Sequence, residues 1–294
     1  MNSFFGELGR KLAEKWFSLL MLPGLLLTFV ATVAAVLGHA HALDWNELVR
    51  RAGAWSTALG ARPPAAQALV LVAVLFAAVA AGFVVGGLTG VTQRLWLGSW
   101  ADARPAPLSW VGRKLVARRQ KRWSRAHEAV GKATGEGERN LLAARRNGIA
   151  MTRPSRPTWM GDRIAGAELR VYHEYQVDLQ SWWPRLWLVL DDTTRAELRA
   201  ARSAFDSAVN QATWAVGYLL AGLFWWPAIP VAAGIWATGW LRGRGAVRTY
   251  ADLIESTVDI YATDLAVRLR ALKEDEPFTR ETGADVTFQL RKGT

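Results

Sequence analysis

An all-α membrane protein with four transmembrane helices is the fold class the sequence predicts, and three observations predict it. Residues 16–43, 63–92 and 211–241 contain no Asp, Glu, Lys or Arg. As helix, each is long enough to cross a hydrocarbon core of roughly 30 Å, which takes about 20 apolar residues. The third stretch is interrupted by Trp225-Trp226-Pro227-Ala228-Ile229-Pro230, and two prolines this close remove backbone donors where one continuous span would need them. It therefore reads as two arms, residues 208–226 and 227–245, folded into a hairpin. A single kinked span over the same residues is the alternative and gives three spans.

The first stretch ends in Ala40-His41-Ala42, which has the small-x-small form of a signal-peptide cleavage site. Its apolar part, residues 17–37, is longer than the about 7–15 residues of a secretory signal. The leader before it carries Glu7 and Glu14 as well as Arg10, Lys11 and Lys15. A retained anchor is the expectation. His39, His41 and Asp44 follow in an H-x-H-x-x-D pattern, but structural zinc sites want four ligands, so a hydrated loop is expected rather than a metal site.

Charge sets the threading. Of the 36 Lys and Arg, 21 fall in residues 93–210 and 9 in 242–294, against 3 in 44–63. Cytoplasmic loops carry the excess of basic residues, so residues 93–210 are expected inside the cell and the short loop with Asp44, Glu47, Arg50, Arg51 and Arg62 outside. Arg242, Arg244 and Arg248 close behind the last apolar stretch require an even number of crossings. Four spans then leave both termini in the cytoplasm. Trp225 and Trp226 at the hairpin turn suit the outer interface, where indole rings sit among headgroups.

No cysteine is present, which removes disulfides, thiolate nucleophiles and Cys-based metal clusters. The chain divides into residues 1–98 with the first pair of spans, a basic helical segment over 99–207, the hairpin 208–245, and an amphipathic helix and tail over 246–294. In the basic segment, Arg113, Lys114, Arg118, Arg119, Lys121, Arg122 and Arg125 lie within thirteen residues that contain no acid. Beside a membrane exit such a run is drawn to anionic inner-leaflet lipid by about 1 kcal/mol per basic residue. Nucleic acid could use the same charges, with Trp110 and Trp123 for stacking, but no nucleic-acid-binding motif accompanies them. Residues 132–139 (KATGEGER) lack the order of a phosphate-binding loop and read as a connector.

From Gly161 onward Ile164, Ala167, Val171, Tyr172, Tyr175 and Leu179 recur at helical spacing. Val247, Tyr250, Ile254, Val258, Tyr261, Leu265, Leu269 and Leu272 do the same, and the two stripes are expected to pack together, within one chain or across a dimer. Between them, Trp182-Trp183-Pro184-Arg185-Leu186-Trp187-Leu188-Val189-Leu190 is too short to span a bilayer. Trp182, Trp183 and Trp187 are expected either at the inner interface or under the bundle. Asp191 and Asp192 offer caps for the next helix. Pro277 onward reads as a tail with a short strand at 286–290.

The stretch 156–190, with PTWMGDRI, Ala167-Glu168, Tyr172, Tyr175, Asp178 and WWPRLWLVL, continues into an amphipathic helix, a proline-interrupted hairpin and a Tyr-Ala-Asp-Leu helix. It resembles an uncharacterised family of bacterial multi-pass membrane proteins, over roughly residues 154–272. The resemblance implies a hairpin for the last two spans and no activity, ligand or cofactor.

For chemistry the sequence offers little. No nucleophile stands beside a base, no Asp, Glu, Lys or Arg lies inside the three stretches, and Glu168 with Tyr172 is one turn of surface helix. Ala78, Gly82, Gly86 and Gly90 repeat every fourth residue, a small-residue ridge that lets another helix approach closely. That helix could belong to the same chain or to a second copy. The expected function is a non-enzymatic membrane anchor or scaffold for a cytoplasmic partner or for like subunits. A homo-oligomeric channel lined by the second span is the alternative.

Overall fold

A computed structural model describes residues 21–98, 100 and 106–292, without the side chains of 106–108. Arg10, Lys11, Lys15, Trp16 and the leader of the first apolar stretch lie outside the described residues. Among the described residues there are ten helices and no strand. They are α1 Leu22–Leu37, α2 Trp45–Gly60, α3 Pro64–Leu97, α4 Ala106–Lys132, α5 Glu136–Ile149, α6 Trp159–Tyr175, α7 Leu179–Val189, α8 Asp192–Gly222, α9 Ala228–Arg268 and α10 Arg280–Leu290. Two compact units result. One holds the described residues up to Thr92 with Ala208–Leu241, and the other holds Gln93–Ser207 with the residues from Arg242 onward. All three boundaries fall inside a helix, in α3, α8 and α9.

In the first unit, α3 is the one described helix long and apolar enough to cross a membrane, and only 17% of its most apolar stretch is buried by protein. Leu69, Leu71, Phe76, Phe83 and Val84 are all at least three-fifths exposed. Its buried side is a stripe of Ala78, Gly82, Val85 and Thr92. There α1 crosses so closely that a Cβ on Gly24 would stand 2.3 Å from the Ala78 carbonyl oxygen. The Thr92 and Thr213 hydroxyls, 2.9 Å apart and buried, join α3 to α8.

The last apolar stretch reverses direction. Helix α8 stops at Gly222, four residues before the expected break at Trp226, and α9 starts at Ala228, because Leu223–Pro227 are taken up by the turn between them. Gly222 lies against Ile229, Gly239 against Ala212, and Gln211 donates to the Thr238 hydroxyl at 2.9 Å. Those pairings are antiparallel, so a single kinked helix is not what these residues form. The turn is tied down by the Trp225 indole N–H, which donates to the Ala42 carbonyl at 2.8 Å, and by His39 Nε2, 2.9 Å from the Leu223 carbonyl.

Residues 45–60, expected as part of a loop, form helix α2. The Asp44 carboxylate accepts from the Glu47 amide at 3.0 Å and caps it. Glu47 pairs in turn with Arg50 and Arg51, and Arg51 also donates to the Val36 carbonyl at the end of α1. A side-chain cap and a basic residue on the last carbonyls of the preceding helix are local signals that favour two helices over a loop.

The second unit is built on a core of Val171, Trp182, Leu186, Leu190, Leu198, Ile254, Val258, Leu265 and Val286. The two amphipathic stripes meet within the one chain. Arg163 pairs with Asp252, Arg170 with Glu255, and the Tyr175 hydroxyl donates to Asp259 at 2.8 Å, so α6 and α9 run in the same direction. Asp191 caps α8 through the Thr194 amide at 2.7 Å and accepts from the Tyr261 hydroxyl of α9. Helix α6 ends with Gln176 in the left-handed region, φ 56°, its amide bonded to the Tyr172 carbonyl. The expected strand at 286–290 is the last part of α10, because the Thr279 hydroxyl caps it and Gly283 lets it press on the Tyr175 carbonyl.

Candidate functional site

Sequence reasoning singled out three groups, and the structure divides each of them. In the small-residue ridge, Ala78 and Gly82 are buried, whereas a Cβ built on Gly86 or Gly90 meets nothing within 4 Å. At Ala78 the ridge is therefore taken up by α1 of the same chain, through Gly24. The second half, rotated about a quarter turn from the buried stripe by the 100° helical step, is open.

In the basic run, Arg113, Lys114, Arg118, Lys121, Arg122 and Arg125 are exposed on α4 and make a single cationic surface. Lys114 sits 4.9 Å over the Trp110 ring, which is itself more than half exposed. Arg119 does not belong to that surface. Its Nε and Nη2 donate to Asp162 Oδ2 at 3.0 and 2.6 Å, and Nη2 also reaches the Ile149 carbonyl at 3.0 Å. Asp162, at the start of α6, is 5% exposed, and its other oxygen accepts the amides of Ser155 and Arg156 at 2.8 and 2.7 Å. The arrangement is a satisfied buried ion pair that fastens α4 and the loop after α5 onto α6. Arg119 cannot be a lipid contact, because it lies with Val116, Gln120 and Trp123 on the inward side of α4, where Gln120 and Trp123 bond the carbonyls of Pro154 and Ala150.

In the tryptophan group, Trp182 is fully buried, its indole N–H donating to the Thr287 hydroxyl at 2.9 Å and its face meeting Phe278 edge-on. It is a core residue and not an interfacial one. Spacing explains this: Trp182, Leu186 and Leu190 fall at four-residue steps on one side of α7 and are all buried. Trp183 and Trp187 take the neighbouring side and line a groove of about 380 Å³ with Arg199, Arg202 and Tyr250, with Arg199 stacked on Trp187 at 5.8 Å. Trp225 is held inward as described above, whereas Trp226 is 45% exposed at the hairpin turn.

The titratable groups are arranged as structural partners. A hydrogen bond from Tyr261 and the capping amide of Thr194 hold the Asp191 carboxyl down at about 2. Burial and the acceptor Asp259 push the Tyr175 phenol up to about 12, which keeps it a donor. Asp178 caps α7 and pairs with Arg291 at 2.9 Å. Glu168 and Tyr172 lie together on an open side of α6 with no hydrogen bond between them. His41 lies 3.7 Å from Asp44 while His39 is engaged at the turn. Among the described residues no three His, Asp or Glu side chains group as metal ligands would. The described residues thus offer surfaces: an exposed apolar helix, an exposed cationic face and an arginine-tryptophan groove. No family model, curated protein or solved structure matches the chain.

Proposed function

We propose that the chain is a multi-pass protein of the bacterial inner membrane, with four spans and both termini cytoplasmic. Its second unit acts as a non-enzymatic docking scaffold at the bilayer, for a cytoplasmic protein or a second copy. One observation carries the membrane part. A helix of 34 residues leaves more than four-fifths of its most apolar stretch uncovered by protein. In water that surface would cost about 25 cal/mol for every Å² exposed, whereas lipid removes the cost. The antiparallel reversal at Leu223–Pro227 supports one crossing before it and one after it, and with that pair the positive-inside rule puts Arg242, Arg244 and Arg248 on the same side as the basic residues of α4, the cytoplasm.

The scaffold part is supported by the contrast between bonded titratable groups and open surfaces. Asp162, Asp178 and Asp191 are committed to helix caps and ion pairs, and Tyr175 to a hydrogen bond with Asp259. The cationic face of α4 and Leu188 beside Trp187 are exposed. Affinity purification from native membranes in mild detergent, with light scattering to measure the mass of the complex, tests it. A stoichiometric partner or a defined oligomer is the expected result. A monomer that brings no protein with it would end the scaffold reading and leave the membrane reading standing.

A further inference from the structure

We propose that Trp159, Arg163, Arg244 and Arg248 form a binding site for a phosphate-bearing anion. They line a cavity of about 280 Å³ in the second unit, together with Asn147 and Met151. The polar groups there are donors. The Arg244 guanidinium stacks 4.5 Å over the Trp159 ring and Arg248 stands 5.7 Å from it. Stacking satisfies the faces of these cations and leaves their in-plane N–H donors available, which is how arginine is presented to phosphate. Neither side chain has a carboxylate partner among the described residues. Asn147 has its amide oxygen occupied by Arg146 at 2.8 Å, so its amide nitrogen is what it can offer.

Arg163 is the decisive member. Its side chain is 10% exposed and its Nη2 is held by Asp252, yet its buried Nε has no acceptor. A buried donor left unpaired carries a desolvation penalty, which an anion in the cavity removes. The charge balance agrees: three guanidinium groups face one carboxylate, that of Asp252, which is half exposed and already bound to Arg163. The volume is at the lower end for small-molecule sites and suits a phosphate or a phosphodiester headgroup.

The same chemistry has two sources. Arg244 and Arg248 follow Leu241, the last residue of the charge-free stretch, by roughly 4.5 and 10 Å of helix rise, which is headgroup depth if α9 crosses the bilayer. The lipid source therefore rests on the membrane reading proposed above, and the phosphate site itself does not.

The test uses the full chain in uncharged detergent, titrated by calorimetry with inorganic phosphate, with dihexanoyl phosphatidylglycerol and, as the zwitterionic control, with dihexanoyl phosphatidylcholine. Three proteins are compared: the native chain, Arg244→Gln/Arg248→Gln, and Arg268→Gln/Arg280→Gln at exposed positions on α9 and α10 away from the cavity. The site predicts binding at least tenfold weaker in the first variant and within twofold of native in the second. Binding of phosphatidylglycerol alone assigns the site to lipid, and binding of inorganic phosphate as well assigns it to phosphate in general. Both support the site. No binding of either anion below 10 mM, or equal weakening in the two variants, would overturn it. An Arg244→Lys/Arg248→Lys variant keeps the charge without the fork, and a return to native affinity in it would likewise count against the geometry.

Discussion

Replacing Arg119 by methionine separates a buried structural cation from a lipid-facing one. The substitution keeps the stem but removes three hydrogen bonds, two of them to a carboxylate whose side chain is 4% exposed. Asp162 would retain the Ser155 and Arg156 amides but lose its counter-charge. Breaking one side of a buried ion pair costs about 3–5 kcal/mol. The two remaining amide bonds and the 19% exposure of the Arg119 side chain put the cost near the low end, about 3 kcal/mol. In a unit of about 170 residues each kcal/mol moves the melting point by about 2–4 °C, so the midpoint in detergent should fall by about 6–12 °C. Hydrogen exchange should quicken at the amides of Ser155 and Arg156. Adding Asp162→Asn should recover more than half of the loss, since the asparagine oxygen still accepts both amides and no charge is left stranded. Arg118→Met and Arg122→Met, on the exposed face, should stay within about 0.5 kcal/mol of native. A fall of under 2 °C for Arg119→Met, with exchange unchanged, would refute the buried-pair reasoning and return Arg119 to the lipid-facing set.

Three further outcomes follow from the geometry. The Asp191 carboxyl is held at about 2 by Tyr261 and Thr194, below its unfolded value near 3.9. Its contribution is present above about pH 4 and lost as pH falls through about 2, so Asp191→Asn should be less stable than native at pH 5 and equal to it at pH 1.5, as read by near-ultraviolet dichroism. A constant difference across that range would show that the carboxylate charge is not involved. Gly24→Val should destabilise the first unit by several degrees, because even its Cβ would stand 2.3 Å from the Ala78 carbonyl; an unchanged melting point would mean that α1 does not cross α3 there. Gly86→Leu with Gly90→Leu fills open space and should leave the monomer's stability native. If the second span also joins copies, the same pair should lower the mass of the complex in detergent and alter any conductance in planar bilayers, whereas unchanged mass and no conductance in the native protein would exclude the channel alternative.

Much of the architecture was readable because long charge-free stretches and regular apolar spacing both dictate helix. The charge-free stretch ending at Thr92 became α3, and Pro227 with Pro230 marked a reversal that the helix ends at Gly222 and Ala228 bracket. The stripes from Ile164 and from Val247 named each other as partners because both needed an apolar cover. What was missed lay where composition outweighs spacing. Helix α2 has Asp44 three residues before Glu47, a legible capping signal, but its charges made it look like a loop. Seven basic residues within thirteen read as one surface, although Arg119 shares a helical side with Trp123 and so had to turn inward. Trp182, Trp183 and Trp187 look alike in sequence, and only the four-residue step to Leu186 and Leu190 separates the core residue from the other two. The pocket around Trp159 gave no local signal, since Arg163 and Arg244 are some eighty residues apart.

The threading can be measured directly, because the native chain has no cysteine. Single cysteines at Thr57 in α2, Phe224 in the hairpin turn and Glu128 in α4 all fall at exposed positions. Treating intact cells with a membrane-impermeant maleimide should label Thr57→Cys and Phe224→Cys and spare Glu128→Cys until the cells are opened. Labelling of Glu128→Cys in intact cells, or protection of Phe224→Cys, would contradict four spans with the basic unit inside, and recovery of the chain in the soluble fraction without detergent would contradict a membrane protein altogether.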